Sequence, residues 1–263
     1  SSARQQGKKI AFVPTMGALH DGHVSLVELA KQSADFVVVS IFVNPLQFAA
    51  NEDFDKYPRN LQSDAEKLSA VGVDVVFAPT VPDVYPNGDA ITQHAGEIGK
   101  VYEGAIRPEH FDGMLTVVAR LFDLVQPDFA VFGKKDAQQL FLIQRMVANS
   151  NHSWNNLAII AAPIIREQSG LAMSSRNQYL SDSDRKLAVG IHKALTSANT
   201  GTPSARLASV EAALDPAIRL DYVALVNPNS FEPIDESFSG QALLLIAARV
   251  GNTRLLDNLS ITI

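Results

Sequence analysis

Residues 14–23 read Pro14-Thr15-Met16-Gly17-Ala18-Leu19-His20-Asp21-Gly22-His23. They follow a short apolar run at 9–13 with the content of a buried strand, and they precede apolar residues at helical spacing over 24–31. His20 and His23 therefore sit three apart where a strand turns into a helix, with Gly17 and Gly22 relaxing the backbone around them. A helix N-terminus offers free N–H donors and the positive end of the dipole, which suits an anion. Two imidazoles at i and i+3 share one face there and can aim their N–H groups at a single phosphate. One histidine at a helix start is ordinarily just a hydrogen-bonded residue; two, bracketed by glycine after a buried strand, are harder to dismiss. Zinc fares badly as the ligand, because the spacing is not i, i+4 with an intervening Glu and the chain has no cysteine.

Parallel strands covered by helices must position such a turn. Residues 36–43 form a continuous β-branched and aromatic run, as strands buried on both faces do. That run ends in a polar loop, Asn44-Pro45-Leu46-Gln47-Phe48, and a polar passage with Asp53, Asp55 and Tyr57-Pro58-Arg59 leads to a helix over 61–68. A strand is expected at 73–79, and 81–108 is broken by Pro and Gly into loop with short elements. Helical periodicity returns over 111–125, followed by a strand at 128–132, the loop Gly133-Lys134-Lys135-Asp136-Ala137-Gln138-Gln139, a helix over 140–147 and a strand over 157–165. This alternation predicts an α/β, Rossmann-like, doubly wound parallel sheet over 1–165. In such a sheet the loops at 16–23, 44–48 and 133–139 converge on the edge where ligands collect.

A polar, Ser-rich stretch from Arg166 to Asn177 marks the expected boundary, and 166–263 reads as a smaller C-terminal α+β domain. Ser181 offers an N-cap for a helix carrying Leu187, Ile191 and Leu195, and a second helix is expected over 205–214. Strands are expected at 220–226 and 242–250, with a turn at 253–258 before a last short strand.

The 263 residues carry a net charge of −6, with basic residues in ones and twos, so a nucleic-acid partner is not expected. No apolar run has the length of a membrane span, and residues 1–8 lack the apolar core of a signal peptide. A cytoplasmic protein that does not engage membrane is the expectation.

The 16–23 turn resembles the His-x-Gly-His motif of the nucleotidyltransferase superfamily, and Met173-Ser174-Ser175-Arg176 resembles its Lys-Met-Ser-Lys-Ser loop. Three further stretches, Phe42-Val43-Asn44-Pro45-Leu46-Gln47-Phe48, Tyr57-Pro58-Arg59 and 133–139, narrow the resemblance to the pantothenate synthetase (pantoate–β-alanine ligase) family along essentially the whole chain. The resemblance implies ligation of pantoate and β-alanine through an enzyme-bound pantoyl adenylate, using MgATP and releasing AMP and pyrophosphate. It implies that Met16, Gly17, Ala18, Leu19, His20, Asp21, Gly22 and His23 cradle ATP, with both imidazoles on its phosphates. Gly133, Lys135, Asp136, Ile165 at the adenine-contact position, Met173, Ser174, Ser175 and Arg176 complete that site. Gln47 and Gln139 hold pantoate, Gln47 also lies beside β-alanine, and Asn44 and Tyr57 belong to the substrate site. No protein metal ligands are implied; Mg²⁺ sits on the distal phosphates. The family is dimeric, so a homodimer is implied, and position 134 is Lys where the family commonly has Glu.

Adenylation sends a carboxylate onto the α-phosphorus of a polyanion, so the catalyst must supply positioning and preplaced positive charge. His20, His23, Lys135 and Arg176 are the catalytic residues expected to supply donors for it from separate loops. Neutral amides such as Gln47 and Gln139 suit pantoate, whose carboxylate must stay free to attack.

Overall fold

Every residue from Ile10 to Val13 is buried in the computed structural model of the chain, which describes residues 2–49, 54–55, 57–150, 154 and 156–263. Asp53 of the polar passage lies outside the described residues. The chain runs α1 (Ser2–Gln5), β1 (Ile10–Thr15), α2 (Asp21–Ser33), β2 (Phe36–Ile41), α3 (Leu61–Ala70), β3 (Val75–Phe77), α4 (Val81–Val84), α5 (Glu103–Ile106), α6 (His110–Val125), β4 (Phe129–Gly133), α7 (Ala137–Ala148) and β5 (Ala158–Ala162). It continues through α8 (Asp182–Ser197), α9 (Pro203–Ala213), β6 (Arg219–Val226), β7 (Gln241–Val250) and β8 (Thr253–Thr262). Two compact units result, Ser1–Lys134 with Gln138–Pro163, and Lys135–Ala137 with Ile164–Ile263. The sequence places the division after 165; by contact it falls after Pro163, and three residues beyond β4 go with the second unit.

The first unit is built on a parallel sheet of order β3-β2-β1-β4-β5. Alternate residues of β1 serve opposite faces, as a two-residue period requires: Ile10 and Phe12 join one apolar cluster, Ala11 and Val13 the other. On one face Phe122 meets Phe12, Phe132 and Trp154 edge-on at 6.4, 6.3 and 5.5 Å. On the other, Leu26, Val27 and Ala30 of α2 cover the sheet. Strand order reverses between β1 and β4, which makes their carboxyl ends a topological switch point. The β1–β4 ladder covers only Ala11 and Phe12, so Pro14, which has no N–H to donate, lies beyond it.

The second unit packs α8 and α9 against an antiparallel sheet of order β6-β7-β8. Ile191, Leu195, Val210, Leu244 and Ile246 form its fully buried centre. Ser181 caps α8 by accepting from Asp184 N at 3.1 Å.

Two boundaries differ from the sequence reading for a physical reason. Residues 253–258 are not a turn but the first part of the ten-residue β8, paired with β7 throughout. Their polar side chains read as turn residues yet are satisfied in place: Arg254 Nε lies 2.6 Å from Asp221, and Asp257 is paired with Arg166. Likewise α7 starts at Ala137, not 140, so Gln138 and Gln139 belong to a helix. Buried Gln138 donates to the carbonyls of Ile98 (2.7 Å) and Val101 (2.9 Å) and accepts from Glu103 N (3.1 Å), satisfying an irregular segment.

Asp257 also lies 3.5 Å from Nδ1 of His192 on α8. Burial and the Arg166 charge together depress the His192 pKa, against the pull of Asp257. A depressed histidine contributes stability above its ordinary pKa of about 6.5, and that contribution is lost as pH falls through the folded value. Replacing His192 by Gln is expected to flatten the fall of Tm as pH drops below about 6.5; an unchanged slope in scanning calorimetry contradicts the assignment.

Candidate active site

β1 hands over to α2 through a turn that is left-handed at two consecutive residues, Gly17 (φ +84°) and Ala18 (φ +51°). A Cβ at position 17 would stand 2.9 Å from Asp64 Oδ2 and 3.1 Å from Ile41, so glycine is needed for space as well as for φ. The carboxylate of Asp64, 2 % exposed on α3, accepts from Ala18 N at 2.9 Å and Leu19 N at 2.8 Å. Lys67, also on α3, donates to Leu19 O at 2.6 Å. Thr15 Oγ1 donates to Ser40 O at 2.6 Å and accepts from Gly17 N at 3.3 Å. Five hydrogen bonds thus hold the turn from β2, α3 and β1.

The two histidines then form a capping box on α2. His20 is the N-cap and its Nδ1 accepts from Gly22 N at 3.1 Å; His23 is at N3 and its Nδ1 accepts from His20 N at 3.3 Å. An Nδ1 that accepts a backbone N–H carries no proton, so each neutral ring has its proton on Nε2. The rings lie 4.1 Å apart between centroids and are partly exposed, a pair of donors at the positive end of a helix. Asp21, exposed at the first helical position, sits favourably on the same dipole.

After β2, Asn44 caps a 3₁₀ turn over Pro45–Gln47. Asn44 is 1 % exposed and its amide is taken up inside the protein. Oδ1 accepts from Tyr85 OH (2.9 Å) and Leu46 N (3.3 Å), and Nδ2 donates to Gly113 O (3.1 Å) and Gln47 Oε1 (3.3 Å). Burial, aided by the Asp89 charge, pushes the Tyr85 phenol far above its ordinary pKa, so it stays a donor. Gln47 is buried, with Nε2 3.0 Å from Met16 Sδ on the histidine turn. Its backbone carbonyl accepts from His110 Nδ1 at 2.8 Å, while His110 Nε2 accepts from Arg107 at 3.0 Å. Arginine can only donate, so His110 is a neutral relay with its proton on Nδ1. Gly113 lets α6 approach this turn, since a Cβ there would fall 2.0 Å from Leu46 O. Tyr57 is buried edge-on to Phe48, 6.0 Å between centroids.

Gly133 ends β4, and Lys134 N extends the β4–β5 ladder to Ala162 O at 2.9 Å with its side chain exposed. Gln139 is half-buried on α7.

In the second unit, Lys135 Nζ lies 2.9 Å from Asp136 Oδ1. Ile165 and Met173 close a small hairpin, Met173 N donating to Ile165 O at 2.9 Å, with Gly170 (φ +94°) at its turn. Ser174 then caps the 3₁₀ turn Ser175–Tyr179, its Oγ accepting from Arg176 N at 3.3 Å. Asn177 pins this run by donating to Glu167 Oε1 (3.0 Å) and Ala172 O (3.1 Å), and Arg185 ties Glu167 to Asn177 O. The stretch that reads as a polar boundary is therefore an ordered hairpin and cap. Among the described residues no three His, Asp or Glu side chains gather as a metal site, and no helix is long and apolar enough to cross a membrane.

Comparison with known proteins decides what this arrangement belongs to. Residues 1–260 match the pantoate-beta-alanine ligase family. The chain belongs to that family. It is 53 % identical over 259 residues to the pantothenate synthetase of Acidothermus cellulolyticus, covering 95 % of this chain and 84 % of the relative. To that of Thermobifida fusca it is 47 % identical, covering 99 % and 92 %. The crystal structure of pantothenate synthetase from Thermus thermophilus superposes with a TM-score of 0.90 at 45 % identity, covering 95 % of this chain and 92 % of that one. The pantoate-beta-alanine ligase from Francisella tularensis, solved with a β,γ-ATP compound and β-alanine, gives 0.80 at 36 % identity, covering 97 % and 90 %. The chain is thus a ligase that joins pantoate to β-alanine to form pantothenate, with ATP as co-substrate.

Within this ligase, the sequence reading names the histidines and glutamines but not the residues that hold them. Asp64 carried a usable signal: it lies four residues before buried Leu68, a carboxylate on the apolar side of α3. Arg107, His110 and Tyr85 carried none. Replacing Asp64 by Asn is expected to leave one turn N–H facing an NH₂ group, at a cost of about 1–3 kcal/mol in urea unfolding, with AMP formation reduced as well. Wild-type stability and rate contradict this.

Proposed function

We propose that the ligation runs in two steps through an enzyme-bound pantoyl adenylate. A carboxylate oxygen of pantoate attacks the α-phosphorus of ATP, the bond to the bridging oxygen breaks, and pyrophosphate departs with that electron pair. The free amine of β-alanine then attacks the acyl carbon, AMP leaves with the ester oxygen, and the amine proton passes to solvent. Both steps develop or release negative charge on phosphoryl oxygens, so fixed donors are the main catalytic requirement.

The capping box on α2 carries this reading. It locks both Nδ1 atoms to backbone N–H groups and so puts the ring protons on Nε2, at a helix N-terminus beside a switch point, where an anionic phosphate is favoured. In this reading His20 and His23 donate to ATP phosphates, the 16–22 backbone follows the triphosphate, and Lys135 and Arg176 supply cationic donors. Asp136, Ser174, Ser175 and Met173 help seat the nucleotide, Ile165 meets the adenine and Gly133 leaves room for it. Gln47 and Gln139 bind pantoate without a cation that would blunt its carboxylate. Asn44, with its bonds filled, orients Gln47, and Tyr57 closes that side of the substrate site.

In this reading Mg²⁺ is the companion of ATP's own phosphates, whose hard oxygens suit it. Bound there, it would neutralise phosphate charge. A homodimer and a cytoplasmic location are part of the same proposal and rest on the family resemblance; no nucleic acid is involved.

With pantoate alone, the enzyme is expected to exchange labelled pyrophosphate into ATP, and AMP release is expected to require β-alanine as well. AMP release without detectable exchange overturns the two-step route. His23→Ala and Lys135→Ala are each expected to lose about 10²–10³ in adenylate formation while remaining folded; near-wild-type turnover by either removes its assigned role.

A further inference from the structure

Adjacent residues of β8 hold both nucleotide-handling segments of the second unit. Asp257 and Asn258 are each 5 % exposed, and successive strand residues serve opposite faces. Asp257 grips Arg166 with two hydrogen bonds, NH1 to Oδ2 at 2.6 Å and NH2 to Oδ1 at 2.8 Å. Arg166 in turn donates to Gly170 O at 3.2 Å across the turn of the hairpin that leads into Met173 and Arg176. Asn258 Nδ2 donates to the backbone carbonyl of Lys135 at 2.9 Å, and Asn258 N is tied to Asp257 Oδ1 at 2.8 Å.

A buried ion pair is rarely more stabilising than apolar residues of the same volume. What a bidentate Arg–carboxylate pair supplies is geometry, since its fork fixes direction as well as distance. Lys135 stands on a three-residue segment, Lys135–Ala137, joined to this unit far from its neighbours in sequence. Its carbonyl bond to Asn258 fixes the backbone from which the Lys135 side chain, paired at Nζ with Asp136, extends.

We propose that Asp257 and Asn258 are positioning residues of the ligase: together they set the spacing between Lys135 and the 173–176 segment, and so the fit to ATP. This rests on the reading of Lys135 and Arg176 as nucleotide-binding residues. Neither Asp257 nor Asn258 needs to touch substrate.

The test is a double-mutant cycle read by affinity for a non-hydrolysable ATP analogue, with the KM for β-alanine as control. Asn258→Ala is expected to weaken analogue binding about tenfold and to leave the KM for β-alanine within about twofold. In a Lys135→Ala background the same change is expected to add less than about twofold, because the group it positions is gone. Asn258→Ser, which keeps a shorter donor, is expected to fall between, and circular dichroism melts check that each variant is folded. Equal losses in both backgrounds, or parallel changes in analogue binding and the β-alanine KM, overturn the positioning role. If Lys135→Ala itself binds the analogue normally, the nucleotide assignment of Lys135 fails and this proposal fails with it, an outcome distinct from additivity.

Discussion

The structure depends on one buried carboxylate. Two consecutive left-handed residues after β1 cost backbone energy, least at Gly17 and about 1 kcal/mol at Ala18. They turn two N–H groups inward, where no strand can satisfy them. Asp64 accepts both and is itself almost fully enclosed. Its desolvation is offset only because both oxygens are hydrogen-bonded. Remove that exchange and two of the five bonds that hold the turn ahead of α2 are lost, with both N–H groups left facing inward.

From this constraint the chemistry follows in order. A fixed turn places His20 at the N-cap and His23 one helical turn on, close enough for each ring to satisfy the backbone beside it. Those bonds decide the tautomers. Capping thus takes up Nδ1 of both rings and puts their protons on the opposite nitrogens, at the positive end of the helix dipole. On the neighbouring strand the same logic is repeated with neutral groups. Tyr85 and Gly113 O fill Asn44, Asn44 steadies Gln47, and Arg107 through His110 fixes the Gln47 carbonyl. The cation in these contacts, Arg107, bears on His110 and on the Gln47 backbone carbonyl, so the Gln47 side chain itself is held by neutral groups.

Elements whose cause is local were legible in the sequence. The apolar run before Pro14, the helical spacing after His23, the double-faced β2 and the Ser181 cap all state their structure within a few residues. The paired histidines stand out as well, because two of them between glycines at a strand–helix junction are unusual. What stayed hidden depends on distant partners. Asp64 meets Ala18 across 46 residues, His110 meets Gln47 across 63, Arg166 meets Asp257 across 91, and Asn258 meets Lys135 across 123. Apart from Asp64, whose spacing from Leu68 puts it on the apolar side of α3, each reads alone as an ordinary polar surface residue. The same blindness turned the start of β8 into an expected turn and the start of α7 into an expected loop: polar side chains satisfied at a distance look, in sequence, like exposed ones.

The central claim is that the backbone holds both site histidines in one tautomer, with the proton outward. Long-range ¹H–¹⁵N correlation spectra of the ring nitrogens of His20 and His23 near neutral pH test it directly. Both rings should appear neutral, with a pyrrole-type Nε2 and a pyridine-type Nδ1. A pyrrole-type Nδ1 on either ring, in the folded ligand-free enzyme, would contradict the account.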